Sequence, residues 1–302
     1  MLKLHHFRNF VAIADAQSVR GAARTLGLAQ PYLSRSLGEL EKELGVALLE
    51  RHAAGVELTA AGARFLVRAR TGLREFYRGI EEMEEWGNEV GGQVAIAMSS
   101  PPILSMLPQV FTTFRKRYPK VHLQLSEATF PAAEPQLRDG RLDFYIGAVV
   151  EESVHRRFER QLLFSNRRMV FTRVNHPLCN ANSLADLQDA EWLYGGLQQR
   201  AEQDFEQLFE RHGLLPPGRL TRVDSQMCTL TLMLNSDAIA MVPRQWAEAA
   251  VINQLVRPIN LRHDFPAPDV VMVTRAGIPL TPSAEKLAAL FIREAEMLYP
   301  AR

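Results

Sequence analysis

The stretch from residue 18 to residue 45 reads SVRGAARTLGLAQPYLSRSLGELEKELG, and its apolar spacing predicts two short amphipathic helices. Ser18 is placed to cap the first helix, and Gly27 is placed to end it. The second helix is expected to begin near Ala29, and its buried face carries the leucines Leu33, Leu37, Leu40 and Leu44. The first structural prediction is therefore a pair of packed helices joined by a short turn.

The exposed face of the second helix carries hydrogen-bonding groups at its front end and no acid before Glu39. Amide, phenol, hydroxyl and guanidinium groups occur at Gln30, Tyr32, Ser34, Arg35 and Ser36. Such groups at the positive end of a rigid helix suit the edges of bases in a DNA major groove. An ordinary helical hairpin with a solvated face explains the same residues, so both interpretations stay open at this point.

Length and composition limit the classes of protein that fit. A chain of 302 residues allows two or three domains, and its 47% hydrophobic and 23% charged content is typical of a soluble globular protein. No apolar run is as long as a membrane span, and residues 1–20 lack the apolar centre of a signal peptide, so we expect a cytoplasmic protein with no membrane partner. Residues 1–74 hold eleven Lys or Arg against six Asp or Glu, which suits contact with phosphates.

The flanks of the helix pair complete a small domain. Apolar residues at helical spacing predict an opening helix that packs on the pair, namely Leu4, Phe7, Phe10, Val11 and Ala14. After Leu44, two extended pieces at residues 48–51 and 56–58 flank a turn at Ala54 and Gly55. This is a winged helix-turn-helix arrangement, in which the turn can reach the DNA backbone or minor groove beside the recognition helix.

Residues 1 to about 65 resemble the DNA-binding domain of LysR-type transcriptional regulators. The matching positions are Phe10, Ser18, Ala22, Ala23, Leu26, Gln30, Pro31, Leu33, Ser34, Leu40, Glu41, Leu44, Gly45, Leu48, Arg51, Val56, Leu58, Thr59, Ala61 and Gly62. The resemblance implies that DNA is contacted by Ser18, Gln30, Pro31, Tyr32, Ser34 and Arg35, and that Arg51 contacts the backbone near the wing. The DNA-binding domain is placed at residues 1–58.

The wing departs from the family pattern. Family members commonly carry basic residues there, whereas this chain has Ala53, Ala54 and Gly55 in the turn and Glu57 after it. We therefore expect fewer phosphate contacts from the wing and an affinity that depends less steeply on salt.

Residues 59–90 are predicted to form a linker helix. Its apolar residues follow a heptad pattern over nearly three repeats, at Leu66, Ala69, Leu73, Phe76, Ile80 and Met83. Such a seam predicts dimerisation through a partner helix, and the alternative is a helix that lies along its own domain. In the resembling family this helix does form a dimer contact, and tetramers are frequent.

Residues 91–302 alternate between predicted strands and helices, which indicates α/β units with parallel sheets. We expect two lobes around a cleft: lobe I from residues 91–164 and 269–302, and lobe II from residues 165–268. Helices are predicted at residues 104–118, 201–212, 227–234 and 283–298. The region resembles the effector domain of the same family, which is similar to periplasmic binding proteins, with residues 135–144 and 175–178 as the best anchors.

Effector contacts are expected where strands lead into helices, at the carboxyl ends of the strands. The candidates are Ser99, Ser100, Ile103, Thr129, Phe130, Ala148, Gln198 and Ser225. Hydroxyls and free backbone N–H groups at a helix start favour an anionic group such as a carboxylate. Each residue alone can equally be a helix cap or a turn residue.

Enzyme signatures do not appear in the sequence. It has no GxGxxG, P-loop or GxSxG motif in the required context, and its eight histidines form no ligand-spaced cluster beyond the adjacent His5 and His6. Cys179 and Cys228 form no CxxC pair, and both are expected to be buried. No catalytic residue, metal site or cofactor is predicted.

The sequence as a whole predicts an α/β protein with an N-terminal winged helix-turn-helix, a long linker helix and a two-lobed effector domain. Its expected partners are double-stranded DNA, a small-molecule effector, further copies of itself and RNA polymerase. Alternatives are a ligand-independent DNA-binding protein whose α/β domain serves only assembly, an exported solute receptor, and an enzyme.

Overall fold

The computed structural model describes residues 1–52, 55–87, 91–149, 157–195, 201–262 and 265–300. The chain divides into two compact units, Met1–Glu89 and Val90–Arg302. Among the described residues, no helix combines the length and the apolar character that a membrane span requires.

The first unit has four helices and a two-stranded hairpin. Its elements are α1 (Leu4–Ala16), α2 (Val19–Leu26), α3 (Gln30–Leu44), β1 (Leu49–His52), β2 (Gly55–Leu58) and α4 (Ala60–Gly87). Gly27 and Gly45 end α2 and α3 in the left-handed conformation, where a glycine has no Cβ to clash. The core joins α1, α2 and α3 through fully buried side chains that include Phe10, Ile13, Ala22, Leu33 and Leu40.

Polar contacts fix the hairpin against this core. The carboxylate of Glu41 accepts hydrogen bonds from the backbone N–H groups of Leu48 (2.7 Å) and Leu49 (3.1 Å). On the other strand, the N–H of Val56 donates to the carbonyl of Gln17 at 3.1 Å. The hairpin is therefore attached to α3 through one strand and to the end of α1 through the other.

The heptad seam of α4 is divided between two environments. Its first three residues, Leu66, Ala69 and Leu73, are buried, and the first two of them belong to the core of the unit. The last three, Phe76, Ile80 and Met83, are 50%, 42% and 60% exposed. The expectation that the whole seam faces a partner helix is corrected, because α1 already covers its first half.

The second unit contains two sheets with helices packed on them. Along the chain its elements are β3 (Gln93–Met98), α5 (Ser100–Ser105), α6 (Leu107–Arg117), β4 (His122–Glu127), α7 (Phe130–Arg138), β5 (Phe144–Ala148), β6 (Phe158–Phe164), β7 (Arg167–Arg173), β8 (Glu191–Tyr194), α8 (Ala201–Glu210), β9 (Leu220–Arg222), α9 (Gln226–Asn235), β10 (Ala238–Pro243), α10 (Gln245–Glu248), β11 (Val256–Pro258), β12 (Phe265–Pro266), β13 (Val270–Arg275) and α11 (Pro282–Leu298).

The two sheets define two lobes. The first has the strand order β4-β3-β5-β13-β6, and the second has the order β11-β7-β10-β8-β9 with β12 also paired to β7. The chain passes from the first sheet to the second between Phe164 and Arg167, and returns between Pro266 and Val270. Each lobe has its own apolar core, built around Phe114, Phe144 and Phe291 in the first and around Trp192 and Phe209 in the second.

Two details of the predicted secondary structure need correction. The sheets are mixed rather than parallel, because β13 runs antiparallel to β5 and β6, and β7 runs antiparallel to β10. The single helix predicted at residues 104–118 is two helices that meet at Met106. Pro108 lacks the N–H that a continuous helix would bond to Leu104, so the helical hydrogen-bond ladder is interrupted there.

Candidate functional sites

The front of α3 presents polar side chains to solvent. Gln30, Pro31, Tyr32 and Arg35 are exposed, and Ser34 is partly buried. Pro31 lies in the first turn, where its missing N–H leaves no helical hydrogen bond unmade, and that turn contains no acidic residue. The front of the helix thus combines hydrogen-bonding groups with one guanidinium and no opposing charge.

Two hydroxyls of this region serve the fold. The Ser18 Oγ accepts a hydrogen bond from the Gly21 N–H at 3.1 Å and caps α2. Ser36, expected on the exposed face, is only 3% exposed, and its Oγ accepts a hydrogen bond from the fully buried Asn9 amide at 2.9 Å. The placement of Ser36 on the DNA-facing surface is therefore wrong, since its side chain joins α3 to α1.

Further polar contacts orient α3 on α1. His6 Nε2 lies 3.2 Å from the Glu39 carboxylate, while His6 Nδ1 accepts a hydrogen bond from the Lys3 N–H at 3.0 Å. Together with Asn9 and Ser36, these groups connect two positions on one face of α3 to α1. The recognition surface is thus held by directional contacts as well as by apolar packing.

The wing hairpin is acidic in its described part. Glu50 and Glu57 lie directly opposite each other across β1 and β2, and His52 Nε2 is 3.8 Å from each carboxylate. Arg51 belongs to β1 and pairs with Val56 in the ladder. The Arg51 side chain, and the turn at residues 53 and 54, lie outside the described part of the structure.

The last described turns of α4 carry an exposed apolar patch. Phe76, Ile80 and Met83 form it together with Tyr77, which is 42% exposed and meets the Phe76 ring edge-on with centroids 6.1 Å apart. A hydrophobic patch along one side of a helix is typical of a surface that packs against another helix. We call these four residues the α4 patch.

A cavity of about 1000 Å³ lies between the two sheets of the second unit. It opens where β3, β4, β5, β8, β9 and β10 end, so the carboxyl ends of the parallel strands of both sheets face it. Its wall includes five of the predicted residues: Ser99, Ser100, Thr129, Ala148 and Ser225.

The remaining predicted cleft residues have other positions. Ile103 packs against the core of the first lobe, and Phe130 is 1% exposed among Tyr145 and Phe158. The expectation that these two face the cleft is corrected: Phe130 directly follows the cap residue Thr129, Ile103 lies one turn into α5, and both side chains pack into the first lobe instead of lining the cavity. Gln198 lies outside the described residues.

The hydroxyls in the wall are used in two ways. Ser99 and Thr129 occupy the cap positions of α5 and α7, yet neither side chain makes a capping hydrogen bond. Ser225 does cap its helix, because its Oγ accepts a hydrogen bond from the Cys228 N–H at 3.3 Å. The Ser99 Oγ is buried against the Tyr145 hydroxyl, so among these three residues Thr129 is the one whose hydroxyl can hydrogen-bond to a ligand without giving up a helix cap.

Tyr145 lies behind the Ser99 side of the wall. Its hydroxyl approaches the Ala148 carbonyl at 3.4 Å, and burial raises the pKa of that hydroxyl, so it stays protonated at any ordinary pH. A Cβ on Gly147 would lie 2.3 Å from this hydroxyl and 2.5 Å from the Ser99 Oγ. Glycine at position 147 is thus required for the close packing of these two side chains.

In the second lobe, the sequence predicted Ser225 but not four further residues that line the cavity. Asn166 and Arg168 line the cavity from β7 and the segment before it, and Tyr194 and Arg222 line it from the ends of β8 and β9. Asn166 and Arg168 are two residues apart, so in an extended segment their side chains lie on the same face. This spacing was the feature of the sequence that could have indicated their shared position. The Arg222 guanidinium lies 3.3 Å from Asp224, so this edge of the cavity holds both charges.

The cysteines and possible metal ligands add little to these sites. Cys179 is partly buried and Cys228 is exposed, so the expectation that both are buried is wrong for Cys228. Within the described ranges, no group of three or more His, Cys, Asp or Glu side chains is placed to hold a metal ion.

A helix-turn-helix unit joined to a two-lobed unit with a cleft defines the class of ligand-responsive DNA-binding regulators. The bacterial regulatory helix-turn-helix of the lysR family matches residues 4–63, and the LysR substrate binding domain matches residues 87–296. The chain therefore belongs to the LysR family, and it is a DNA-binding transcriptional regulator with a substrate-binding domain.

Individual relatives agree with this family. The transcriptional regulator GbpR of Azospirillum brasilense is 30% identical over 82% of this chain and 73% of its own length. TdcA of Escherichia coli K12 is 25% identical over 84% of this chain and 81% of its own. A crystal structure of full-length CbnR with its target DNA covers 97% of this chain and 100% of its own, with a TM-score of 0.69 and 22% identity, and it supports the fold.

Proposed function

We propose that the front of α3 reads an operator in the major groove, through Gln30, Pro31, Tyr32, Ser34 and Arg35. The exposure of Gln30, Pro31, Tyr32 and Arg35, with Ser34 partly exposed beside them, on a helix that is fixed to α1 by buried polar contacts supports this assignment. Ser18 uses its side chain to cap α2, and its backbone N–H is proposed to contact a DNA phosphate. Arg51 is proposed to contact the DNA backbone beside the wing. Two copies joined through the α4 patch would place two recognition helices on spaced half-sites.

The cleft is proposed to bind a small effector that carries an anionic group. Ser100 and Thr129 supply hydroxyl donors from the first lobe, Ser99 forms the wall beside them, and Arg168 supplies positive charge from the second lobe. The single observation that carries this proposal is the exposed hydroxyl of Thr129, which lines the cavity from a cap position without capping its helix. The relatives are regulators, and we propose that this cleft binds its ligand without converting it.

Effector binding is proposed to act by a population shift. A ligand that contacts both lobes favours the lobe arrangement in which both walls reach it. This arrangement would change how the copies in a dimer or tetramer are placed, and hence how they meet the half-sites and RNA polymerase. A regulator that works on the chromosome in this way would act in the cytoplasm.

Replacing Arg35 with alanine is expected to weaken operator binding by about 1 to 3 kcal/mol and to relax the sequence preference at one position. The guanidinium is the only cation in the exposed front of α3, and a bidentate contact to guanine is its characteristic use. The measurement is a dissociation constant for the selected operator and for single-base variants of it.

Lys42→Ala is the matched control, because Lys42 is exposed on the same helix two turns later. Loss of this charge should weaken binding to all sequences by a similar factor. If Arg35→Ala left the preference among operator variants unchanged, Arg35 would not be a base-reading residue.

Replacing Thr129 with valine is expected to reduce effector affinity by about tenfold or more, since a hydrogen bond to a charged group contributes about 1.5 to 3 kcal/mol. Valine keeps the shape of threonine and removes only the hydroxyl. The measurement is the rise in unfolding temperature when the full-length protein is screened against a panel of small carboxylates.

Thr231→Val provides the control, because Thr231 is exposed on α9 and does not line the cavity. A ligand whose binding survives Thr129→Val undiminished would contradict the proposed contact. A protein that binds its operator but shows no saturable ligand would instead be a ligand-independent regulator whose α/β unit serves assembly.

A further inference from the structure

His5 lies against the recognition helix at its exposed end. The His5 imidazole and the Tyr32 ring have centroids 6.2 Å apart and planes inclined by 33°. Tyr32 is 42% exposed and belongs to the first turn of α3, and His5 is partly buried in the first turn of α1. His5 is therefore next to the surface that the proposed function places in the major groove.

The dimensions of the groove determine what would face His5. A B-DNA major groove is about 12 Å wide, and an α-helix with its side chains is about 10 to 12 Å across. The recognition helix therefore fills the width of the groove. A side chain that contacts it from a neighbouring helix lies at the edge of the groove, next to the phosphates. Phosphate oxygens are accordingly the DNA groups that come within reach of the His5 ring.

The charges around His5 are mainly positive. On α1 and its cap, Lys3, His6 and Arg8 all disfavour a proton on His5, and the opposing charge comes from Glu39 on α3. Glu39 is already in contact with His6 Nε2. Burial and the neighbouring cations hold the pKa of His5 below its ordinary value, so the free protein keeps this ring neutral at neutral pH.

We propose that His5 is an additional DNA contact, which donates a hydrogen bond to a backbone phosphate as the imidazolium after taking up one proton from solvent. No covalent bond forms, and the proton adds to the free ring nitrogen. A phosphate that arrives beside the ring favours its charged form and forms a charge-assisted hydrogen bond with it. The inference rests on the proposed role of α3 in DNA binding.

The sign of the pH dependence follows from proton uptake. The complex holds a proton on His5 that the free protein lacks, so operator affinity rises as the pH falls through the neutral range. Uptake of one proton can change the operator affinity by at most about tenfold per pH unit. We expect the affinity to rise by about three- to tenfold between about pH 8 and about pH 6.

The test measures the dissociation constant of the full-length protein for its selected operator across that range, at constant ionic strength, by fluorescence anisotropy. His5→Gln is expected to remove the part of the pH dependence of operator affinity that comes from protonation of His5. His5→Arg, which is always charged, should keep the high affinity at the alkaline end. His122→Gln, an exposed histidine on β4, and His52→Gln in the wing are the controls, and both should retain the wild-type slope.

The inference would be overturned by an unchanged slope in His5→Gln, or by a slope that disappears in His52→Gln instead. A wild-type protein that binds its operator with a flat profile would also contradict it, while leaving the proposed role of α3 intact. Failure to bind any selected DNA at any pH would contradict the proposed function itself. Matching unfolding temperatures for the wild type and His5→Gln exclude misfolding as the cause.

Discussion

Replacing Gly62 with alanine is expected to unfold the DNA-binding unit and abolish operator binding. A Cβ at this position would lie 1.9 Å from the Leu48 carbonyl oxygen and 2.8 Å from its carbonyl carbon, and neither backbone atom can move independently. The same carbonyl accepts a hydrogen bond from the Thr59 N–H, while the Gly62 N–H donates to the Thr59 Oγ1 at 2.9 Å. Overpacking here should cost about 3 kcal/mol or more.

The matched control is Gly38→Ala in α3, where nothing lies within 4 Å of the added methyl group. Alanine there removes a flexible residue from a helix interior and should stabilise the unit by up to about 1 kcal/mol. Hydrogen exchange on both variants measures the two units separately, and only residues 1–87 of Gly62→Ala should lose protection. Wild-type operator affinity in Gly62→Ala would disprove the predicted clash.

Ile80→Glu is expected to separate the copies of the protein and to reduce operator affinity by about 100-fold or more. Ile80 lies within the α4 patch, so a carboxylate there would have to be buried without a partner when two helices pack. Two linked DNA-binding units gain about 10² to 10⁴ in apparent affinity over one, and a monomer loses that gain. Sedimentation measures the assembly, and operator titration measures the affinity.

Val67→Glu is the control on the same helix. Val67 is 45% exposed and, at 100° per residue, faces away from Phe76, so the same charge is added to the opposite side of α4. This variant should keep both the assembly and the affinity. If Ile80→Glu remained oligomeric with full affinity, the copies would associate through a different surface.

The helix-turn-helix was predictable because its signals are local. Ser18 caps α2, Gly27 and Gly45 end their helices, and the leucine spacing of α3 defines its buried face. Ser36 was misplaced because its neighbour on α1, Asn9, is distant in sequence. A hydroxyl on the margin of an apolar stripe can face solvent or a buried amide, and only the packed structure distinguishes the two.

The heptad pattern of α4 could not be assigned from sequence for a related reason. Burial against α1 and burial against another copy both select apolar residues at the same spacing, so Leu66 and Ile80 look alike in the sequence. Their exposure in the structure separates them, because Leu66 is 8% exposed and Ile80 is 42% exposed.

The cleft residues of the first lobe were predicted where a strand leads directly into a helix, whereas Arg168 and Arg222 of the second lobe were missed. Ser99 and Thr129 follow β3 and β4, so the rule for parallel strands found them. Arg168 and Arg222 come from a strand that runs antiparallel to its neighbours and from a three-residue strand. The alternation along β7 shows which residues share a face with Arg168, but whether that face meets the cavity depends on how the two sheets are connected.

The two segments that connect the lobes also form part of the cavity wall. Asn166 lies on the outgoing segment, and Ala267 and Pro268 lie on the returning one. A ligand that fills this part of the cavity would contact the segments about which the lobes would turn. Contacts to these segments can reduce the motion of one lobe relative to the other even where the mean positions of the lobes hardly change. Effector binding can then alter DNA binding through reduced fluctuations as well as through a change in shape. An effector of this protein would then be better recognised by altered hydrogen-exchange rates at residues 165–168 and 267–269 than by a large change in shape.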